Sequence, residues 1–288
     1  MKKDITELFC FIDDFCNELK SAKTNNLLGE CCKPTRTPEL EISEIATIVL
    51  LYQYSPCKNF KYFYQSYLQL YKPEFPKLVS YNRFIELKPR AFPYLLLLMK
   101  SLLKKDGRLK YIDATSFAVC HNKRIYRHKV FKGLAARGKT SMGWFFGLKL
   151  HLLIDEQGEI INFTITPGNV DDRKPVRQML KGLKGLLFGD KGYIDKELFA
   201  DLFAQGLKLV TGIKKNMKNK LMSLLEKILL RKRSISETVF DYLKNKMSIL
   251  HTRHRSITNA MIHIISTLVV YALKPTKPSI SMPISIPN

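Results

Sequence analysis

The segment "GLLFG" (185–189) has no polar face. Successive side chains of a strand point to opposite faces of its sheet, so a run that is apolar throughout must be covered on both sides. That is the condition of a central strand in a parallel α/β sheet, and it excludes a sheet with one face in water. The flanking sequence agrees. Upstream, "RLKYIDATSFAV", "WFFGLKLHLLI" and "EIINFTITP" read as three strands, the last two joined by "DEQG", a turn of hairpin type. "DDRKPVRQMLKGL" is expected to be a helix capped by Asp171 or Asp172, with Pro175 in its first turn. "DKELFADLFAQG" reads as a helix ending at Gly206, and "LKLVTGI" as another strand.

Three antiparallel strands, then parallel strands separated by helices, give the expected fold class. It is α/β, a ribonuclease-H-like mixed sheet flanked by helices and preceded by an all-helical N-terminal domain. The helical part is read over 1–105, the sheet domain over 106–274, and a Pro-rich extended tail over 275–288. In the helical part "ITELFCFIDDFCNEL" repeats apolar residues at helical spacing, and Ser43 is the expected cap of "EIATIVLLYQYS". The aromatic run "PCKNFKYFYQSYLQLY" reads first as helix core, with a ring-and-lysine surface for nucleic acid as the alternative. Beyond the last strand, "NKLMSLLEKILL", "SISETVFDYLKNKMSIL" and about 257–273 read as three helices.

Charge narrows the function. The chain has 288 residues with 48 Lys and Arg against 25 Asp and Glu, a net charge of +23. So basic a protein repels itself unless a polyanion compensates, and nucleic acid is the usual partner. The apolar content of 45% excludes a disordered chain. The six cysteines form no C-x-x-C pair, so structural zinc is not expected, and they read as reduced thiols of a cytoplasmic protein. "MKKDITELFC" does not read as a signal peptide, and the most apolar stretches fall short of a membrane span, so no membrane association is expected.

A carboxylate inside an apolar strand costs several kcal/mol unless it is paired or holds a cation. Asp113 occupies such a place, and Asp190 follows "LLFG" at a strand's carboxyl end, where ligands of open α/β sheets collect. Where the first and fourth strands are neighbours these two acids meet, and both stay ionised only with a cation between them. With no His or Cys cluster nearby, oxygen ligands favour Mg²⁺ or Mn²⁺. A third carboxylate is expected from the helix in "RKRSISETVFDYLKNK". Its apolar stripe is Ile235, Val239, Leu243, Met247 and Leu250, and Arg233, Glu237 and Lys244 share the opposite face. Read alone, Arg233 and Glu237 are an ordinary solvated pair, and Asp241 is the rival ligand.

The blocks "YIDATS", "GLKLHLLIDEQGEIINFTITPGNVDDRKPV", "GDKGYI", "SETVFDYLKN", "HTRHRSITN" and "FPKLVSYNRFIEL" resemble bacterial insertion-sequence transposases of the DDE class, nearest to the family numbered nine-eight-two. The resemblance implies that Asp113, Asp190 and Glu237 are the three catalytic acids. It implies that they hold two Mg²⁺ ions, for which Mn²⁺ substitutes, with Asp113 bridging both. Arg233, Glu237 and Lys244 match three positions of a Tyr-Arg-Glu-Lys signature; the Tyr position is Leu230 here. The implied activity is cleavage at the element's ends and joining of the 3′-hydroxyls to target DNA. A metal nuclease without strand transfer, a decayed transposase that only binds DNA, and an RNA-binding structural protein are the alternatives. The implied partners are inverted-repeat and target DNA and a second copy or higher assembly of the chain; the implied location is the bacterial nucleoid.

Phosphate contacts are expected where basic residues gather beside the acids. Residues 121–150 carry Lys123, Arg124, Arg127, Lys129, Lys132, Arg137, Lys139 and Lys149 and no acid. "HTRHRS", with Arg253 and Arg255, reads as a phosphate clamp, and Lys191 and Arg173 as further DNA contacts alongside Arg233 and Lys244.

Overall fold

The computed structural model describes residues 4–21, 39–141, 143–213, 222–250 and 254–280. The chain divides into two compact units, one of Met1–Leu102, Met247–Ile249 and His254–Leu273, the other of Leu103–Lys246, Leu250–Arg253 and Lys274–Asn288.

The first unit is helical. In α1 (Ile5–Ser21), Leu8, Ile12 and Cys16 recur every fourth residue and form its buried edge. α2 (Ile42–Tyr54) is buried nearly all round. Its start is fixed by Glu41, whose N–H donates to the Glu44 carboxylate at 2.7 Å; Ser43, the expected cap, is instead buried inside the first turn. The aromatic run is helical in three registers: an α-turn Phe60–Tyr62, a π-turn Phe63–Tyr67 and a 3₁₀-turn Leu68–Tyr71. Phe63 and Tyr64 are buried, and Tyr64 packs 4.7 Å from the Phe84 ring of α3 (Tyr81–Leu87). Those rings are core, while Tyr62 stands out at 62% exposure. α4 (Phe92–Ser101) and α2 both pack against the last helix, Ile257–Ala272. Chain order groups that helix with the sheet, in 106–274. Its compact unit is the helical one, because from Ile262 to Tyr271 it is apolar or buried on every side and needs helices around it.

The second unit is a six-stranded mixed sheet. Its strands are β1 (Leu109–Cys120), β2 (Ala136–Thr140), β3 (Gly143–Asp155), β4 (Ile160–Pro167), β5 (Gly185–Gly189) and β6 (Leu207–Thr211). The order is β2-β3-β1-β5-β6, with β4 also on β3. β3 is antiparallel to β1, β2 and β4, whereas β5 runs parallel to β1 and β6 parallel to β5. This mixed α/β sheet is consistent with a ribonuclease-H-like domain. "GLLFG" lies inside it, with Leu187 and Phe188 fully buried. β2 is the strand that apolar pattern misses: "ARGKT" is short and carries exposed cations, and it is held by its ladder to β3 alone. The turn "DEQG" does close the β3–β4 hairpin. Buried Asp155, paired with Lys104, accepts the N–H groups of Gln157 and Glu159 at 2.8 Å each.

One face of the sheet carries Ile112, Leu153, Ile161, Leu187 and Leu209, packed with α5 (Val176–Met179) and α6 (Lys196–Ala204). α5 is a single turn starting after Pro175, so Asp171 and Asp172 do not cap it. α7 (Leu224–Arg231) packs against β5 and β6, and α8 (Ser234–Asp241) against β1. α7 starts at a capping box of Ser223 and Glu226; residues 219–221 of the longer helix expected there lie outside the described residues. α8 widens into a π-turn, Tyr242–Lys246, and Ser248 then takes a positive φ of 51°. The single long helix expected over 234–250 is therefore cut short. Ile235, Val239, Leu243 and Met247 of its apolar stripe are buried, but Leu250 is not. Among the described residues no helix is long and apolar enough to cross a membrane.

Candidate active site

The parallel ladder between β1 and β5 pairs Leu109 with Leu186, Lys110 with Leu187 and Tyr111 with Phe188. Two residues beyond the last pair, each strand carries its aspartate, Asp113 in β1 and Asp190 just past β5. Tyr111 and Asp113 share a face of β1, opposite to Ile112. The Tyr111 hydroxyl meets the Leu229 carbonyl of α7 at 3.5 Å, so this is the face under α7 and α8. Gly189 allows the approach: a Cβ there would sit 3.2 Å from the Tyr193 ring and 3.3 Å from Ile112 Cγ2.

α8 brings the third acid. Arg233 lies 3.7 Å from Asp113 Oδ2 through Nη1 and 3.3 Å from Glu237 Oε1 through Nη2. One guanidinium thus spans the two carboxylates. Asp113 is raised to about 6, first by burial and then by the charges of Asp190 and Glu237; the Ala114 N–H and Arg233 oppose the rise. Asp113 therefore feels both of the other acids. Lys244 is brought in by the π-turn and its value is lowered by burial, against the pull of Asp113 and Asp241. Asp241 itself is exposed and bonded to Asn245. Asp190 accepts its neighbour's N–H, from Lys191, at 2.7 Å, and the Lys191 stem runs over Gly212.

The donor set suits a hard divalent cation. It is made of carboxylates without thiolate or imidazole, and its buried member is destabilised first by desolvation and then by the other two acids. As the side chains stand, among the described residues no group of three His, Cys, Asp or Glu is close enough to hold a single ion. Arg233 supplies the positive charge between Asp113 and Glu237.

Two residues expected to contact DNA have carboxylate partners within the chain. Lys149 is mostly buried, 2.9 Å from Asp172 and 2.9 Å from the Val170 carbonyl, and so pins the loop after β4 to the sheet. Beside it, buried His151 is lowered to about 4 by desolvation and stays neutral, 2.9 Å from the Thr166 hydroxyl. Arg173 grips Asp171 at 2.7 Å and reaches Asp195 at 3.3 Å, holding the Asp171 carboxyl well below the usual range. Both cations are neutralised internally. Lys123 and Arg124 are exposed on a 3₁₀-turn, Asn122–Arg127, and Arg255 is exposed ahead of the last helix; Arg253 lies outside the described residues.

Tyr193 is the site residue that sequence reasoning missed. It is buried and its hydroxyl has no hydrogen-bond partner among the described residues. Its value is pushed up by burial and then by Asp113, Asp172 and Asp190. The signal was its place three residues after Asp190 in "GDKGY".

The α/β domain thus sets two carboxylates level on adjacent parallel strands and carries a third on the helix packed against β1. Residues 104–257, more than half of the chain, match the family model described as transposase DDE domain, and the chain belongs to that family. No curated protein matches it.

Proposed function

We propose that the chain is an insertion-sequence transposase, nearest to the family numbered nine-eight-two, that cleaves DNA at the ends of its element and joins the 3′-hydroxyls to target DNA. The observation supporting this reading is that Arg233 spans Asp113 and Glu237 while Asp190 ends the strand beside Asp113, all inside the matched residues.

Asp113 stands within β1, Asp190 just past the end of β5, and Glu237 completes the set from α8; these three would hold two Mg²⁺ ions. When bound, the ions supply activation of a water or 3′-hydroxyl and stabilisation of the leaving oxygen in an in-line displacement. Arg233 then leaves the carboxylates for the scissile phosphate, and Lys244 adds a second positive charge beside it. Tyr193 packs beneath the Asp190 turn and keeps water from its inner side. The helical unit is assigned to recognition of the inverted repeats, and the working form is a dimer or higher assembly on paired ends.

The test uses linear DNA carrying the element's ends, supplied intact or already cleaved to a 3′-hydroxyl, with Mg²⁺. Cleavage of the first and joining of the second are expected, and Asp113→Ala, Asp190→Ala or Glu237→Ala each abolishes both while DNA binding persists. Cleavage without joining makes the protein a nuclease. Cleavage retained by Asp113→Ala overturns the site.

A further inference from the structure

The basic block between β1 and β3 is not absorbed by the acid site. There the β2–β3 hairpin carries Trp144, about half exposed at 52%. Lys139 lies directly across the ladder from Trp144, and Arg137, two residues earlier, shares its face. The Arg137 guanidinium is 4.9 Å and the Lys139 ammonium 5.7 Å from the indole centre. Neither cation has a carboxylate partner among the described residues. The Asn122 amide donates to the Trp144 carbonyl at 2.7 Å and ties the neighbouring 3₁₀-turn to the hairpin. That turn presents exposed Lys123, Arg124 and Arg127 and, between them, Tyr126, which is 98% exposed.

A single exposed ring needs no explanation by itself, but an exposed ring in a field of unpaired cations suits one chemistry. A protein surface or a lipid would need apolar area, which this hairpin does not offer beyond its rings. A polyanion with flat apolar faces matches both parts, because phosphates meet the cations while a base stacks on the ring. We propose that Trp144 is a stacking platform for an unpaired base of DNA, with Arg137, Lys139 and the Asn122–Arg127 turn gripping the flanking phosphates. At about 3.3 Å per residue, Trp144 lies roughly 25 Å along β3 from Leu152, the partner of Asp113. It therefore acts on DNA well away from the cleaved bond, as a positioning residue. The inference rests on the proposed DNA substrate.

Trp144 is the single tryptophan of the chain, so intrinsic fluorescence reports on it directly. Titrating the whole protein with a labelled oligonucleotide follows binding by anisotropy and stacking by tryptophan quenching in the same sample. Quenching is expected with single-stranded or gapped DNA, and little with fully paired duplex. Trp144→Ala weakens binding to single-stranded or gapped DNA roughly ten-fold and duplex binding much less, while Trp144→Phe keeps most of the affinity. Arg137→Ala with Lys139→Ala flattens the salt dependence on all DNA. Binding without quenching, or equal losses on paired and unpaired DNA in Trp144→Ala, overturns the platform and leaves the transposase reading intact. Failure to bind DNA at all overturns both.

Discussion

Asp113→Asn isolates the electrostatic cost built into the acid site. A free aspartate titrates near 3.9, and burial with two neighbouring carboxylates takes Asp113 up to about 6. Its side chain is 20% exposed, so solvent screens little of this. Between pH 4 and 6 the folded state binds more protons than the unfolded one, and stability falls as pH rises through that window. Above pH 7 the whole cost is present. At 1.36 kcal/mol per tenfold it amounts to about 2–3 kcal/mol. Asparagine keeps the shape and removes the charge. Without divalent cations the variant should melt with the wild type near pH 4 and roughly 5–10 °C above it at pH 7.5. Differential scanning fluorimetry from pH 4 to 8 in EDTA measures this directly. Adding magnesium should then narrow the gap by stabilising the wild type alone. A difference that is independent of pH, or a variant less stable than the wild type at pH 7.5, refutes the argument that Asp113 is held at a cost.

The other predictions concern its surroundings. Arg233→Met removes a charge that opposes the rise of Asp113, so the gap between wild-type and asparagine backgrounds should still open near pH 4 but keep growing to a higher pH and end larger. Lys149→Met should cost about 1–2 kcal/mol in thermal melts by leaving Asp172 unpaired, yet leave the salt dependence of DNA binding unchanged. Tyr193→Phe should be neutral or stabilise by up to about 1 kcal/mol, since it deletes a buried hydroxyl without a partner among the described residues; a large loss in melting temperature would show that the hydroxyl is satisfied. Gly147→Ala places a Cβ 1.7 Å from the Phe117 carbonyl oxygen and should prevent soluble expression, whereas Gly192→Ala meets open space and should melt normally.

The parts of this molecule that were legible in sequence are those set by burial. β1, β3, β4, β5 and β6 announce themselves by apolar pattern, and Asp113 and Asp190 by their contrast with it. β2 was hidden because an edge strand of "ARGKT" buries little and owes its form to its neighbour. The end of α8 was hidden because "DYLKNKMSIL" keeps helical spacing through a π-turn that only tertiary packing selects. Arg233 and Glu237 were readable as an i,i+4 pair, but the reach of the same guanidinium to Asp113 depends on how α8 lies on β1. The carboxylate partners of Lys149 and Arg173 were hidden for the same reason. Charge counts locate cations, and only the fold reveals the carboxylates already beside them.

The parallel pairing of β1 with β5 has a consequence in time. Antiparallel neighbours such as β3 and β4 close over a short turn, but β5 reaches β1 only after the whole hairpin region and α5 have been made. Glu237 comes later still, on a helix that follows β6. Closure over such separations is slow, and it waits on the ribosome. A growing chain therefore carries Arg137, Lys139 and the Asn122–Arg127 turn long before Asp190 and Glu237 have been made.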